Sequence, residues 1–339
     1  MNNKISSREL EYDLPENRVK QHPYINRENS KLLKVDSREI FYFKHILDIL
    51  SDDAVLVLNK TTVKKRRVYG SFKDSTSTVE IFILNKINDN EIECLLKTNS
   101  KKQIGKKIIV DDIEIIITKR IKNVFYLNIL NDNFKGLIDK NGKIPLPPYI
   151  EDHASKYDGY QTVFKSGGES VAAPTAGLHF TQDLLHKINK KGINTHFINL
   201  DIGLGTFAKI TTEDISEHKI HKEKYHIDDT VLDSLIKDKN LGKKIVTVGT
   251  STLRALETCF SSRPYKPVGE TNLFIKRGYE FKFCDGLITN FHAPKSTLLA
   301  LIDAIVTDWK DVYTFAIDNE FNFLSFGDSM YIDIEKCKI

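Results

Sequence analysis

Between Val68 and Leu130 apolar and polar residues alternate in short runs, VYGSF, TVEIFIL, EIECLLKT, KKIIV, IEIIITK and NVFYLNIL, broken by Asn, Asp, Gly and Lys. No helix-length amphipathic segment interrupts them, and strands this short at this spacing predict a small all-β barrel or sandwich. The pattern ends at NGKIPLPPYI, where Pro145, Pro147 and Pro148 forbid helix and central-strand pairing and mark a crossing between domains. Beyond it the texture becomes α/β. Strand-like INTHFINLDI follows a helix that starts after Thr181, KIVTVG precedes a helix at STLRALETCF, and GLITNF precedes one at PKSTLLALIDAIV. In the first of these helices Leu184, Leu185 and Ile188 share a face, Thr181 is the cap and Gly192 the stop. VLVLN at 55–59 reads as a further strand with no β-only neighbour before it. Residues 1–66 and 149–339 therefore form one discontinuous α/β domain, with an all-β barrel inserted at 67–148.

Composition narrows the class. A chain of 339 residues with 40% hydrophobic content buries a large core. MNNKISSREL lacks the apolar centre of a signal peptide, and LLALIDAIV is interrupted by Asp303, so a soluble cytoplasmic protein without a membrane segment is expected. Cys94, Cys259, Cys284 and Cys337 are scattered with no Cys-x-x-Cys pair, which indicates neither a zinc knuckle nor a disulfide framework. The net charge of +4 is unevenly placed: residues 60–107 hold 12 Lys and Arg against 5 Asp and Glu. The densest piece is Lys64, Lys65, Arg66 and Arg67, followed by Lys101, Lys102, Lys106 and Lys107. Such an excess fits a polyanion partner, and it equally fits solvated lysine faces in a chain rich in Lys, Asn and Ile.

Four polar turns, three of them glycine-bearing, fall at strand ends in the α/β part: APTAGLHF, DIGLGTF, VGTSTLR and TNFHAPKS. Strand ends are where α/β folds bind ligands. SVAAPTAGLHF, at 170–180, sets one titratable group, His179, among small residues that let another molecule approach the backbone, with Gly177 free to take a positive φ. The helix start behind it would offer free N–H groups to an anion. A tight strand-to-helix turn around a core histidine accounts for the same residues. DIGLGTF lacks the third glycine of a dinucleotide loop, and EHKIHKEKYH, with His218, His221, Glu223 and His226, lacks the His-Glu-x-x-His spacing of a zinc site, so no metal is expected.

Taken together, GESVAAPTAGLHFT, DIGLGTF, EHKIHKE, GTSTLRALE, DGLITNFHAPKSTLL, GKIPLPPYI and YQTVF resemble the S-adenosylmethionine:tRNA ribosyltransferase-isomerase family of queuosine biosynthesis, and the resemblance runs from EYDLPENRVKQHP to FLSFGDSMYI. It implies a split α/β domain with an inserted β-barrel. The implied reaction transfers the ribosyl part of S-adenosylmethionine to 7-aminomethyl-7-deazaguanine at the tRNA wobble position and isomerises it, giving epoxyqueuosine with release of adenine and methionine. S-adenosylmethionine is then a substrate, with no permanent cofactor, and the protein is expected to be a monomer. Lys60, Lys31 and Ala293 depart from the family's usual residues.

In that light a sulfonium acidifies the neighbouring ribose 5′ C–H, the attacking amine must lose a proton, and departing adenine gains from an acid. Histidine serves either role near neutrality. His179, His292 and His218 lie in family words and are the catalytic candidates, with acid and base unassigned. Arg254 and Lys295 are candidates for the methionine carboxylate or a tRNA phosphate. Arg67, Thr175, Gly177, Gly203, Gly205, Thr206, Thr250 and Asn290 complete the substrate set, and Lys64, Lys65 and Arg66 the tRNA contacts. The rivals are an S-adenosylmethionine-dependent methyltransferase and a non-catalytic tRNA-binding protein.

Overall fold

The computed structural model describes residues 4–75, 77–151 and 158–338. The strands, in chain order, are β1 (Lys31–Lys34), β2 (Glu39–Tyr42), β3 (Ala54–Asn59), β4 (Arg67–Phe72), β5 (Thr78–Lys86), β6 (Glu91–Lys97), β7 (Lys107–Val110), β8 (Ile113–Ile121), β9 (Val124–Ile129), β10 (Asn194–Leu200), β11 (Glu223–His226), β12 (Lys244–Val248), β13 (Val268–Thr271), β14 (Gly286–Asn290) and β15 (Ser329–Asp333). The helices are α1 (Ile46–Ile49), α2 (Phe134–Asn141), α3 (Gln182–Lys190), α4 (Asp229–Asn240), α5 (Thr250–Cys259), α6 (Thr297–Ile305) and α7 (Trp309–Asp318), and the chain falls into two compact units, Met1–Val63 with Leu146–Ile339, and Lys64–Pro145.

The first unit is built on a nine-stranded sheet in the order β13-β11-β10-β3-β12-β14-β15-β1-β2. Its centre, β10, β3, β12 and β14, is parallel. A parallel strand with both faces covered reads as an unbroken apolar run, and every residue of AVLVLN in β3 is buried. Alternate side chains go to opposite layers. Val55 and Val57 join the core that holds Leu253 and Leu256 of helix α5 (Thr250–Cys259) and Ile302 of α6 (Thr297–Ile305). Leu56 and Leu58 join the core that holds Leu184, Leu185 and Ile188 of α3 (Gln182–Lys190). The α3 helix begins as its sequence indicates: the Thr181 hydroxyl accepts from the Leu184 N–H at 3.1 Å, and the chain leaves beyond Lys191 through Gly192 at φ 92°. At its N-terminus this cap takes the Leu184 N–H, and the Thr181 hydroxyl in turn donates to Glu28.

The second unit is a closed barrel, β4-β5-β6-β9-β8-β7. Its core is filled by the alternating buried residues Val79, Ile81 and Ile83, then Ile92 and Cys94, and Ile113, Ile115 and Ile117. The insertion is not entirely β. A short helix, α2 (Phe134–Asn141), follows β9 and buries Leu137 in the barrel core, started by Asn133, whose side chain accepts from the Gly136 N–H at 3.0 Å. At the ends of the unit the chain is clipped to itself: the Arg67 N–H donates to the Lys143 carbonyl at 3.1 Å and the Lys143 N–H to the Arg67 carbonyl at 2.7 Å.

Candidate functional site

Because β10, β3, β12 and β14 are parallel and paired in register, their C-terminal ends lie along one edge of the sheet. The turns that leave β10, β12 and β14, with the small residues Ala172, Ala173, Thr175 and Ala176, enclose a cavity of about 330 Å³. Gly249 turns the chain after β12 at φ 90°, where a side chain is disfavoured. Thr250 and Ser251 then open α5 on the cavity wall.

Six of the candidate catalytic and substrate residues line this cavity: Thr175, Thr206, Thr250, Arg254, Asn290 and His292. Burial drives the His292 imidazole down to about 3. Its Nε2 lies 3.1 Å from the Thr289 hydroxyl, and its backbone is held on both sides, the N–H donating to Tyr313 at 3.2 Å and the carbonyl accepting from Tyr12 at 2.6 Å. Asn290 donates to the Leu324 carbonyl at 3.0 Å, and its Oδ1 is buried.

His179 sits elsewhere. It closes a 3₁₀ turn, Thr175–His179, and borders a smaller cavity with Tyr24, Arg27 and Phe326. The ring is stacked on Phe43 with centroids 4.9 Å apart, and Nδ1 is 2.8 Å from the Ser30 hydroxyl. Burial first, then the Arg27 charge, lowers it to about 3, against a weaker opposing effect of Asn290. Gly177 does not adopt the positive φ that its sequence allowed. Its lack of a side chain serves close packing inside the protein, since a Cβ there would lie 2.9 Å from the Phe164 ring and 3.0 Å from Thr162.

A side chamber of about 50 Å³ shares Thr206, Ala208, Arg254 and Leu298 with the main cavity and adds Gly205, His218, His221 and Glu223. Gly205 gives His221 room, because a Cβ would lie 2.4 Å from the imidazole. His218 is half-buried, and desolvation, then its neighbour His221, lowers its pKa. Gly203 donates its N–H to Glu223 at 3.0 Å. Lys295 is outside both chambers, in a shallow cleft with Tyr12 and Asp13, where its ammonium pairs with Glu11. In the barrel, Arg67 pairs with Glu80 at 3.1 Å and Arg66 donates to the Leu84 carbonyl at 2.8 Å, while Lys64 is half-buried and Lys65 exposed.

Lys60 and Lys31 find local partners. Lys60 pairs with Asp228 at 3.1 Å. Lys31 donates to the carbonyls of Asn319 and Glu320 just past α7 (Trp309–Asp318), the helix end that favours a cation. Ala293 lines the main cavity. Sequence reading passed over Tyr149 and Ser325, whose hydroxyls meet at 2.7 Å on the cavity wall, because only the fold brings residues so far apart together. Among the described residues no group of three or more His, Cys, Asp or Glu is placed to hold a metal ion, and no helix is long and apolar enough to cross a membrane.

A family model described as a queuosine biosynthesis protein matches residues 7–332. A protein of Fusobacterium nucleatum named S-adenosylmethionine:tRNA ribosyltransferase-isomerase is 39% identical over 341 residues, covering 96% of each chain. One of Staphylococcus aureus with the same name is 38% identical over 340 residues, covering 96% of this chain and 98% of that one. Among solved structures, the S-adenosylmethionine tRNA ribosyltransferase of Thermotoga maritima is similar at 27% identity and a TM-score of 0.54, covering 96% of this chain and 99% of that one. With a match over nearly its whole length, on a split α/β fold carrying an inserted barrel, the chain belongs to the S-adenosylmethionine:tRNA ribosyltransferase-isomerase family of queuosine biosynthesis.

Proposed function

We propose that this protein is an enzyme that transfers the ribosyl moiety of S-adenosylmethionine to the aminomethyl group of 7-aminomethyl-7-deazaguanine in the tRNA wobble position and isomerises it, releasing adenine and methionine and leaving epoxyqueuosine. The observation that carries the reading is the strand-end cavity, walled by small residues and bearing a few convergent polar groups, above all Arg254 and His292. That combination suits a nucleoside with a charged tail. Burial holds His292 neutral at cellular pH, and its imidazole is the candidate for proton transfer on the cavity wall. His179, at the smaller cavity, and His218, in the side chamber, are the further candidates for proton transfer. The positive balance of residues 60–107 supports tRNA as the partner, its phosphates positioning the stem-loop while the modified base takes part in the chemistry. In this reading the protein works as a cytoplasmic monomer without a permanent cofactor.

The test is a product analysis. The protein is incubated with S-adenosylmethionine and tRNA carrying or lacking 7-aminomethyl-7-deazaguanine, and nucleosides and small products are separated. Epoxyqueuosine, adenine and methionine only with the modified tRNA is the expected result. S-adenosylhomocysteine would mean methyl transfer, and tRNA binding without any product would mean a non-catalytic protein.

A further inference from the structure

Arg254 carries an unsatisfied donor at an unusual place. The residue is 7% exposed, its Nη2 is engaged by Glu223, itself 5% exposed, and its Nη1 is buried with no hydrogen-bond partner among the described residues. A buried guanidinium nitrogen without a partner is costly, and Arg254 lines both the main cavity and the side chamber. Glu223 does more than balance the charge. Its Oε1 accepts from the Gly203 N–H at 3.0 Å and from the Thr206 hydroxyl at 3.2 Å, while its Oε2 takes the Arg254 guanidinium. One carboxylate thus ties the turn after β10 to the first turns of α5.

Resting on the ribosyl-donor reading, we infer that Glu223 is a positioning residue that holds the Arg254 guanidinium on the wall of the cavity, where the guanidinium binds the carboxylate of the methionyl part of S-adenosylmethionine. A tRNA phosphate does not suit this position, because a backbone phosphate stays near the surface and both partners are more than nine-tenths buried. Lys295 does not compete for the role, since it pairs with Glu11 outside the chamber. Guanidinium geometry suits the task. One edge is held by Glu223, and the remaining N–H groups present a fixed direction to a second carboxylate, which a lysine ammonium cannot do.

The experiment compares, by calorimetric titration of the full-length protein, S-adenosylmethionine with its decarboxylated analogue, which keeps the adenosyl group and sulfonium but lacks the carboxylate. Wild type is expected to bind S-adenosylmethionine about 10- to 100-fold more tightly than the analogue, the range of a charge-assisted hydrogen bond. Arg254→Lys and Glu223→Gln should each remove most of that preference by weakening S-adenosylmethionine alone, and the double variant should be no worse than the worse single one. Equal affinity of wild type for both ligands overturns the inference without recourse to any variant. So does a parallel loss of both ligands in the variants, which marks a structural role. If wild type binds the analogue but not S-adenosylmethionine, the inference fails as well. If it binds neither, with or without tRNA, the ribosyl-donor reading itself falls.

Discussion

His292 and His179 are equally buried in charge terms and differently placed in space. Both rings are held near 3, mainly by loss of solvent, against about 6.5 in an unfolded chain. Protons therefore bind the unfolded state first as the pH falls. The stability these rings contribute is complete above about 6.5 and is lost on acidification toward 3, at up to about 1.4 kcal/mol per pH unit for each ring. Urea unfolding at pH 7, 6 and 5 should show this decline, and His179→Gln should make it shallower; an unchanged slope would mean that the ring is not held neutral. Turnover separates the two residues. His292 lines the main cavity and His179 does not, so His292→Gln should lose about 10²- to 10⁴-fold in turnover with S-adenosylmethionine binding retained. A smaller loss than in His179→Gln would transfer the proton-transfer role to His179. The sequence made both histidines candidates because both stand in short turns before helices. It offered no means of telling them apart, since that depends on which cavity the fold turns each ring toward.

Among the elements, those with a strong local signal were legible and those set by distant contacts were not. The α3 helix announced itself through Thr181, three apolar residues on one face and Gly192. Thr181→Ala should cost about 1 kcal/mol in denaturant unfolding and Thr181→Ser should restore it, because only the capping oxygen differs. An equal loss in the Ser variant would point instead to the threonine methyl group. The short α2 helix was hidden by its polar neighbours, although Asn133 supplies its cap, because the burial of Leu137 depends on a barrel that only the tertiary structure provides. The same holds for the Glu223–Arg254 pair. Glu223 is on β11 and Arg254 on α5, and no spacing along the chain connects a strand residue with a helix residue of that kind. The turn between β12 and α5 is another case of local necessity. Gly249→Ala places a side chain at φ 90°, so it should destabilise the protein by more than about 1 kcal/mol and weaken cavity binding together.

At the scale of the molecule, alternation of period two revealed the barrel and the βα alternation revealed the sheet, whereas the order of nine strands did not follow from either. Charge placement has a measurable consequence here. Arg66 and Arg67 already bond within the barrel, while Lys65 and Lys101 are exposed, so Lys65→Ala with Lys101→Ala should lower the salt dependence of tRNA affinity by about one unit of log–log slope for each phosphate no longer neutralised. An unaltered slope in the folded variant would locate the phosphate-binding surface elsewhere. The mutual hydrogen bonds of Arg67 and Lys143 bear on how the chain reaches its native state at all. With the two ends of the insertion joined, a folded barrel presents itself to the rest of the chain as a tether only a few residues long, and the entropy lost in bringing β3 to its later partners β10 and β12 shrinks accordingly. Residues 64–145 made as a separate fragment should then unfold cooperatively in urea, and a gradual, non-cooperative loss of structure would refute that autonomy. If the barrel does condense first, the loop between β3 and β10 loses more than half of its effective length, and the insertion lightens the assembly it interrupts.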